Sequence, residues 1–437
     1  MRRDGFGSEV LRLALPAFGA LAAPSLLLLT DAAFIGSLGT DALAGYAGGA
    51  AVFGVATSLS YFLAYASTSV VARRFGAGQH REAINDGVHY IALGISIGVA
   101  VAITLWLGAA TFAGWLGVSD AVLPHAEAWL HGAALGAPGM MGAMAAIGLF
   151  RGLQDTRITL WVTLGQVALN MALCWTFLFR VELGTFGAGL AVAMAETVGL
   201  LAYLLALRHH ARPVGARLLP THLRGLGSAF MVGLPLLWRS AALRTVLMGS
   251  TVVAARLGDD ELAAFYVSLS VWYVLSNLLD AMAIAAQAMI GKRLGASEGH
   301  LVHAVVRRML RWVLWYAAAV GLLTMVLAPV VPPLFSDDPV VQHLITLCLL
   351  VVGAHQPLAG VVFLLDGVLI GSGDSRFLAF VLTMAMCTFL PIAWAVLHWD
   401  LGVLGLWAAM LAFLTTRAAL MWRRAQSDAW IVEGATR

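Results

Sequence analysis

Apolar residues fill this chain in twelve blocks, each long enough to cross about 30 Å of hydrocarbon at about 1.5 Å per residue. They fall near residues 9–38, 41–71, 84–114, 121–150, 157–180, 185–208, 225–256, 260–291, 303–330, 338–371, 376–399 and 402–422, with short polar stretches between them. The pattern predicts an all-α polytopic membrane protein of twelve transmembrane helices. Composition agrees: 61% of the 437 residues are hydrophobic and only 11% charged, against roughly 25% charged in an ordinary soluble domain. The start, "MRRDGFGSEVLRLALPAFGALAAPS", has the basic opening of a signal peptide. Its apolar run continues too far for a short h-region, so the expectation is an uncleaved first span.

Basic residues assign the sides. They gather at Arg2 and Arg3, in "RRFGAGQHRE", around "RGLQDTR", in "RHHARPVGARLLPTHLR" and "GKRLGASEGHLVHAVVRR", at Arg376, and at Arg423 and Arg424. The alternate loops "SLGTD", "GVSDA", "RLGDDE", "FSDDP" and "HWDLG" are acidic or nearly neutral. By the positive-inside rule the even-numbered loops and both termini are cytoplasmic, in a plasma (inner) membrane. The net charge of +3 is too small to suggest a nucleic-acid partner. Cys174, Cys348 and Cys387 lie inside apolar blocks without CxxC spacing, which implies neither a disulfide framework nor a metal cage.

The chain repeats itself at a displacement of 219 residues, as Leu13 stands to Val232. "LALP" meets "VGLP", "SLGTDALAGY" meets "RLGDDELAAF", "RRFGA" meets "KRLGA", and "GLQDTR" meets "GSGDSR", without a gap across the four pairs. Each half carries six spans, so both enter the membrane from the same side. The repeat is therefore parallel, about a pseudo-twofold axis along the membrane normal. The expected organisation is an N-terminal lobe over 1–208, a cytoplasmic linker over 209–224 and a C-terminal lobe over 225–437, with a substrate cleft between the halves.

Ionisable groups in hydrocarbon cost at least a few kcal/mol without a partner, a proton or water, and they mark function more often than scaffold. Helix-rise arithmetic puts Asp31 on span 1 roughly 10 Å from the external end, level with Cys174 on span 5 and Val192 on span 6, with Asn170 and Glu196 about one turn deeper. The two acids are expected to face one pocket, with Asn170 as a neutral hydrogen-bond partner, and to serve as the proton-coupling group. The structural alternative is a plain interhelical hydrogen bond for Asp31 and a solvated cavity wall for Glu196. In the second half Asp280 lies with Asn277 and Gln287 near one stripe of span 8, the expected lining of a substrate cleft. A contact from Asp280 to Arg239 or Arg244 on span 7 is the structural alternative. Asp366, near the "GSGDSR" loop, reads as a further cleft residue or as an interfacially solvated acid. His355 and Gln356 interrupt span 10, and Pro16 and Pro24 are expected kink points of span 1. Trp238, Met231 and Trp272 are candidate adaptable cavity walls.

No HExxH, CxxC or P-loop pattern occurs, so neither an intramembrane enzyme nor an ATP-driven pump is expected of this chain, and no cofactor or metal. Two classes remain: a secondary active exporter, and a flippase for lipids or lipid-linked headgroups whose phosphate Arg239 and Arg244 would meet.

The stretches "LALPAFGALAAPSLLLLTDAAFIGSLGTDALAG", "LGDDELAAFYVSLSVWYVLSNLLDAMAIAAQAMIGKRLGA" and "LLDGVLIGSGDSRF" resemble the multidrug and toxic compound extrusion (MATE) family, and within it the DinF-like branch, over about Leu11 to Arg424. The resemblance implies a two-lobe transporter that exports organic, often cationic, compounds by alternating access against inward H⁺ or Na⁺. Asp31 matches the family's helix 1 aspartate and Asn170 the asparagine opening its helix 5 motif. Where Na⁺-binding members carry a second aspartate this chain has Cys174, and where they carry a threonine it has Val192. A hard cation needs several oxygen ligands, so the departure favours H⁺ over Na⁺. Asp366 matches the helix 10 aspartate of the NorM-like branch, whose paired helix 7 glutamate is absent here. A small organic substrate, H⁺ and the bilayer are the expected partners of what is taken to be a monomer.

Overall fold

The computed structural model describes residues 3–115, 117, 119–220 and 223–436, together with their side chains except at 3–6, 25, 26 and 223. Arg2, Val118, Thr221 and His222, and the side chains of Arg3 and Ser25, all used in the sequence reading, lie outside that set. The described chain forms thirteen α-helices and no β-strand. In order they are α1 (Arg3–Gly36), α2 (Thr40–Gly76), α3 (His80–Trp115), α4 (Leu123–Ala134), α5 (Ala137–Gly152), α6 (Thr156–Phe179), α7 (Gly184–Ala211), α8 (Leu223–Leu257), α9 (Asp259–Gly295), α10 (Gly299–Leu327), α11 (Pro339–Gly371), α12 (Ser375–His398) and α13 (Gly402–Gln426).

Eleven of these helices are long and apolar enough to cross a membrane, and α4 with α5 supplies a twelfth span bent by 52°. The expectation of one unbroken helix over 121–150 is thus corrected. Pro138 stands in the first turn of α5; it lacks an N–H and disfavours helical backbone in the residue before it, so the helix restarts there instead of continuing. Pro16 and Pro24, by contrast, sit inside α1, which runs on through both.

The chain divides into two compact units, the second beginning at Trp238, within α8. In the first, α2 packs on α3 and α5, α4 on α7, and α6 between α1 and α7. In the second, α11 forms the centre, against α9, α10 and α13, and α12 packs on α13. Backbone detail repeats between the units. Gly39 (φ 124°) and Gly258 (φ 149°) open α2 and α9 in a conformation that residues with a Cβ avoid. Gln154 and Gly373, at φ 66° and 75°, follow α5 and α11 in the same register. The turn after α12, 399–401, is one residue shorter than the turn after α6, 180–183, so from α7 and α13 onward the displacement is 218. The loop acids also match. Asp155 lies 3.6 Å from His210 on α7, whose hydrogen bond holds its carboxyl below the usual carboxylate range, and Asp374 accepts from Arg424 on α13 at 2.8 Å.

Two of the close helix crossings fall where the repeat places glycine. A Cβ on Gly148 of α5 would stand 2.3 Å from the Ala64 carbonyl oxygen of α2, and one on Gly367 of α11 would stand 2.2 Å from that of Ala283 on α9. These are the same crossing in the two units, and backbone cannot turn aside as a side chain can. Gly148→Ala and Gly367→Ala are each expected to cost about 1–3 kcal/mol through forced separation of the helices. Gly165→Ala on α6, where nothing stands within 4 Å, should be neutral or stabilising by up to about 1 kcal/mol. Thermal midpoints of the three purified variants check this; equal midpoints would refute it.

Candidate functional site: two acid and amide pairs and a buried ion triad

In the first unit Asp31 lies five residues before the end of α1 and is 3% exposed. Asn170 on α6, equally buried, donates its amide N–H to both carboxylate oxygens, at 3.0 Å to Oδ1 and 3.3 Å to Oδ2. The Cys174 thiol, one turn further along α6, also reaches the carboxylate as a hydrogen-bond partner. Tyr46 on α2 stands near both and is steadied by an edge contact with Trp129 of α4, ring centroids 5.5 Å apart. Sequence reasoning gave no part to Tyr46. The Asn170 oxygen makes no hydrogen bond among the described residues. That leaves the amide able to serve two states: its N–H₂ donates to an ionised carboxylate, and after a flip its oxygen accepts from a protonated one.

Asp31 and Glu196, expected to face one pocket, each meet an amide of the same helix. Glu196 on α7 accepts from Gln166 at 3.1 Å. Gln166 is one helical turn, about 6 Å, before Asn170 on the same helix, so α6 offers an amide to each acid in succession. Gly199 makes room for this: a Cβ there would lie 2.1 Å from Gln166 Nε2. Gly199→Ala is therefore expected to displace a flexible side chain and detach it from Glu196 while leaving the fold intact. A pH profile of transport that shifts as Gln166→Ala shifts it would bear this out, and an unchanged profile in both would remove Gln166 from the site. Gln166 was legible as a polar residue at helical spacing from Asn170, a signal the sequence reading passed over.

In the second unit Asp366 is neither interfacially solvated nor free. It is 4% exposed, and its Oδ2 accepts from Arg239 on α8 and Arg417 on α13, each at 2.5 Å. Arg239 and Arg417 are 7% and 3% exposed. Three charges meet with a formal sum of +1, and Asp366 Oδ1 makes no hydrogen bond among the described residues. Arg239, which the sequence offered as a contact of Asp280, donates to Asp366. Arg417 was missed although an arginine inside the run 402–422 is itself the signal. Asp280 and Asn277 are half-buried on α9, and Gln287 is buried, 1% exposed. His355 is buried beside Trp407, ring centroids 6.3 Å apart, and the Trp407 indole donates to Ser268. Trp238 and Met231 are exposed, whereas Trp272 is buried, so the three do not form one kind of surface.

Neither constellation is duplicated. The register equivalents of Asp31, Asn170 and Gln166 are Ser250, Phe389 and Ala385, and that of Glu196 is Leu414; those of Arg239, Asp366 and Arg417 are Ala20, Ile147 and Gly199. Ser250 bonds its own helix, donating to the Val246 carbonyl. Among the described residues no group of three His, Cys, Asp or Glu stands ready to hold a metal ion.

Known proteins match along the whole repeat. The MatE family model matches residues 16–176 and again 235–395, two stretches at the 219-residue displacement. Protein DETOXIFICATION 43 of Arabidopsis thaliana is 29% identical over 479 residues, covering 95% of this chain and 90% of that protein. DNA damage-inducible protein F of Escherichia coli is 28% identical, over 94% and 91% of the two chains. The crystal structure of the Vibrio cholerae MATE transporter VcmN in the bent form shares the fold at a TM-score of 0.87 and 22% identity, over 97% and 96%. These matches exclude the enzyme class, as the missing motifs had suggested, and the chain belongs to the MATE family of membrane transporters that export toxic compounds.

Proposed function

We propose that this transporter exports organic cationic or amphipathic compounds in exchange for inward H⁺, with Asp31 carrying the proton. It does so as a monomer in the plasma membrane with both termini cytoplasmic, its lobes 1–208 and 225–437 joined by the linker 209–224. The observation that carries the reading is the Asp31 and Asn170 pair: a buried carboxylate held by a reversible amide, with a thiol at the next turn where a Na⁺ site would want oxygen. Protonation removes the charge and lets the amide turn over, which changes what holds α1 to α6. Glu196 with Gln166 offers the same exchange one turn deeper. In the second lobe Asp280, Asn277 and Gln287 supply polar substrate contacts, and Arg239 and Asp366 act with Arg417 as a fixed charge behind them. A lipid-headgroup flippase is less favoured, since the Arg239 guanidinium is already bound to Asp366.

The test is efflux from reconstituted vesicles under imposed gradients. Transport should collapse when the pH gradient is dissipated and stay nearly constant as Na⁺ is varied. Robust Na⁺-driven transport with the pH gradient clamped at zero would overturn the coupling.

A further inference from the structure

Helices α10 and α13 both pack on α11, and a groove of about 440 Å³ is lined by Ala304, Arg307, Leu310, Arg311 and Leu314 of α10 and by Trp422 of α13. We propose that this groove binds one anionic phospholipid, its phosphate headgroup held by Arg307 and Arg311 and its acyl chains lying over Leu310 and Leu314.

The charge argument comes first. Arg307 and Arg311 stand one turn apart on an exposed face of α10, and neither makes an ion pair among the described residues. Two neighbours at the same end of the unit are paired: Arg293 with Glu298 at 3.0 Å and Arg424 with Asp374 at 2.8 Å. No acid lines the groove. Two adjacent guanidinium groups with no protein anion form a fork suited to a phosphodiester.

Depth then selects a lipid over a soluble anion. A 20-residue apolar run of about 30 Å counted back from the end of α10 at Leu327 begins at Arg308. Arg307 is therefore at headgroup level, and Arg311 is a turn inside, where a long stem lets the charge reach the interface. Trp422, 44% exposed, lines the groove near the end of α13, where indoles settle at a membrane boundary. One turn before Arg307, His303 meets Asp428 at 2.8 Å and the Trp430 ring. Toward the other end the lining is apolar, so one wall of the site asks for a charge and the next for hydrocarbon. Basic pockets between transmembrane helices take acidic lipid headgroups on these grounds.

The inference rests on the chain spanning a membrane and not on which ion drives it. The full-length protein, purified in neutral detergent, is titrated with phosphatidylglycerol, with phosphatidylcholine and with inorganic phosphate alone, and bound lipid is counted by native mass spectrometry. The wild type should retain one phosphatidylglycerol in preference to phosphatidylcholine, and millimolar phosphate should not displace it. At about 1 kcal/mol for each basic residue, Arg307→Gln/Arg311→Gln should weaken that retention roughly thirtyfold. Both side chains are exposed, so the fold should survive, and Arg217→Gln, an exposed arginine elsewhere, should leave retention unchanged. Equal retention by wild type and the double variant, equal retention of the two lipids, or displacement by inorganic phosphate would each overturn the site. Transport is not the readout, so failure here leaves the proton-coupling proposal standing, and the converse holds.

Discussion

Asp31→Asn is expected to abolish gradient-driven efflux while the protein still folds, reaches the membrane and binds substrate. The amide is close in shape to the carboxylate, and Asn170 can turn to match it, so the α1 and α6 contact survives. What is lost is the change of charge. An exchange cycle needs the outward- and inward-facing states to differ in their preference for the protonated group, with a gap of only a few kcal/mol. A side chain that never titrates supplies no such difference. Asp31→Glu should keep partial activity with a displaced pH profile, because the longer acid still titrates but meets Asn170 from a shifted position. A purely structural hydrogen bond predicts the reverse ranking: Asn tolerated and Glu damaging in a site 3% exposed. Efflux by both variants at matched expression decides between them, and wild-type transport by Asp31→Asn would end the proposal.

How much of this was legible in the sequence follows from what helical periodicity encodes. Rise per residue fixes depth, and depth put Asn170 within about one turn of Asp31. It does not fix which neighbour a side chain turns to. Glu196 therefore looked like a companion of Asp31, when Gln166, a turn away on α6, takes it. Likewise Arg239 was weighed only against Asp280, on the sequence-adjacent helix, while its bond to Asp366 on α11 went unforeseen. Spans and repeat were read from long apolar runs and matched blocks, signals that average over many residues. The break between α4 and α5 rests on a local feature, a proline beside a glycine inside an otherwise unbroken run, and averaging conceals it. The one-residue slip of register at α13 was invisible for a related reason: the matched blocks end at the "GSGDSR" loop, before the shortened turn.

That slip matters for the largest expected stability effect, which concerns the ion triad. At the equivalent place in the first unit the three residues are Ala20, Ile147 and Gly199, so the fold does not require charge at this crossing. Removing only the acid is another matter. Asp366→Asn would take from two guanidinium groups, 7% and 3% exposed, the carboxylate they share. Breaking a buried ionic group by deleting one partner costs about 3–5 kcal/mol, most of it the stranded charge. For a unit of this size that is a fall in thermal midpoint on the order of 10 °C. Replacing all three by apolar residues of similar volume, Arg239→Leu/Asp366→Leu/Arg417→Met, removes the desolvation cost together with the attraction and should bring the midpoint back near wild type. If the triad is only scaffold, that triple variant should also transport normally. We expect it not to, because charges that the other unit dispenses with at the same crossing have no structural reason to be kept. Thermal midpoints and efflux of the single and triple variants, measured in the same lipid, separate the two accounts. A stable Asp366→Asn, or an active triple variant, would refute ours.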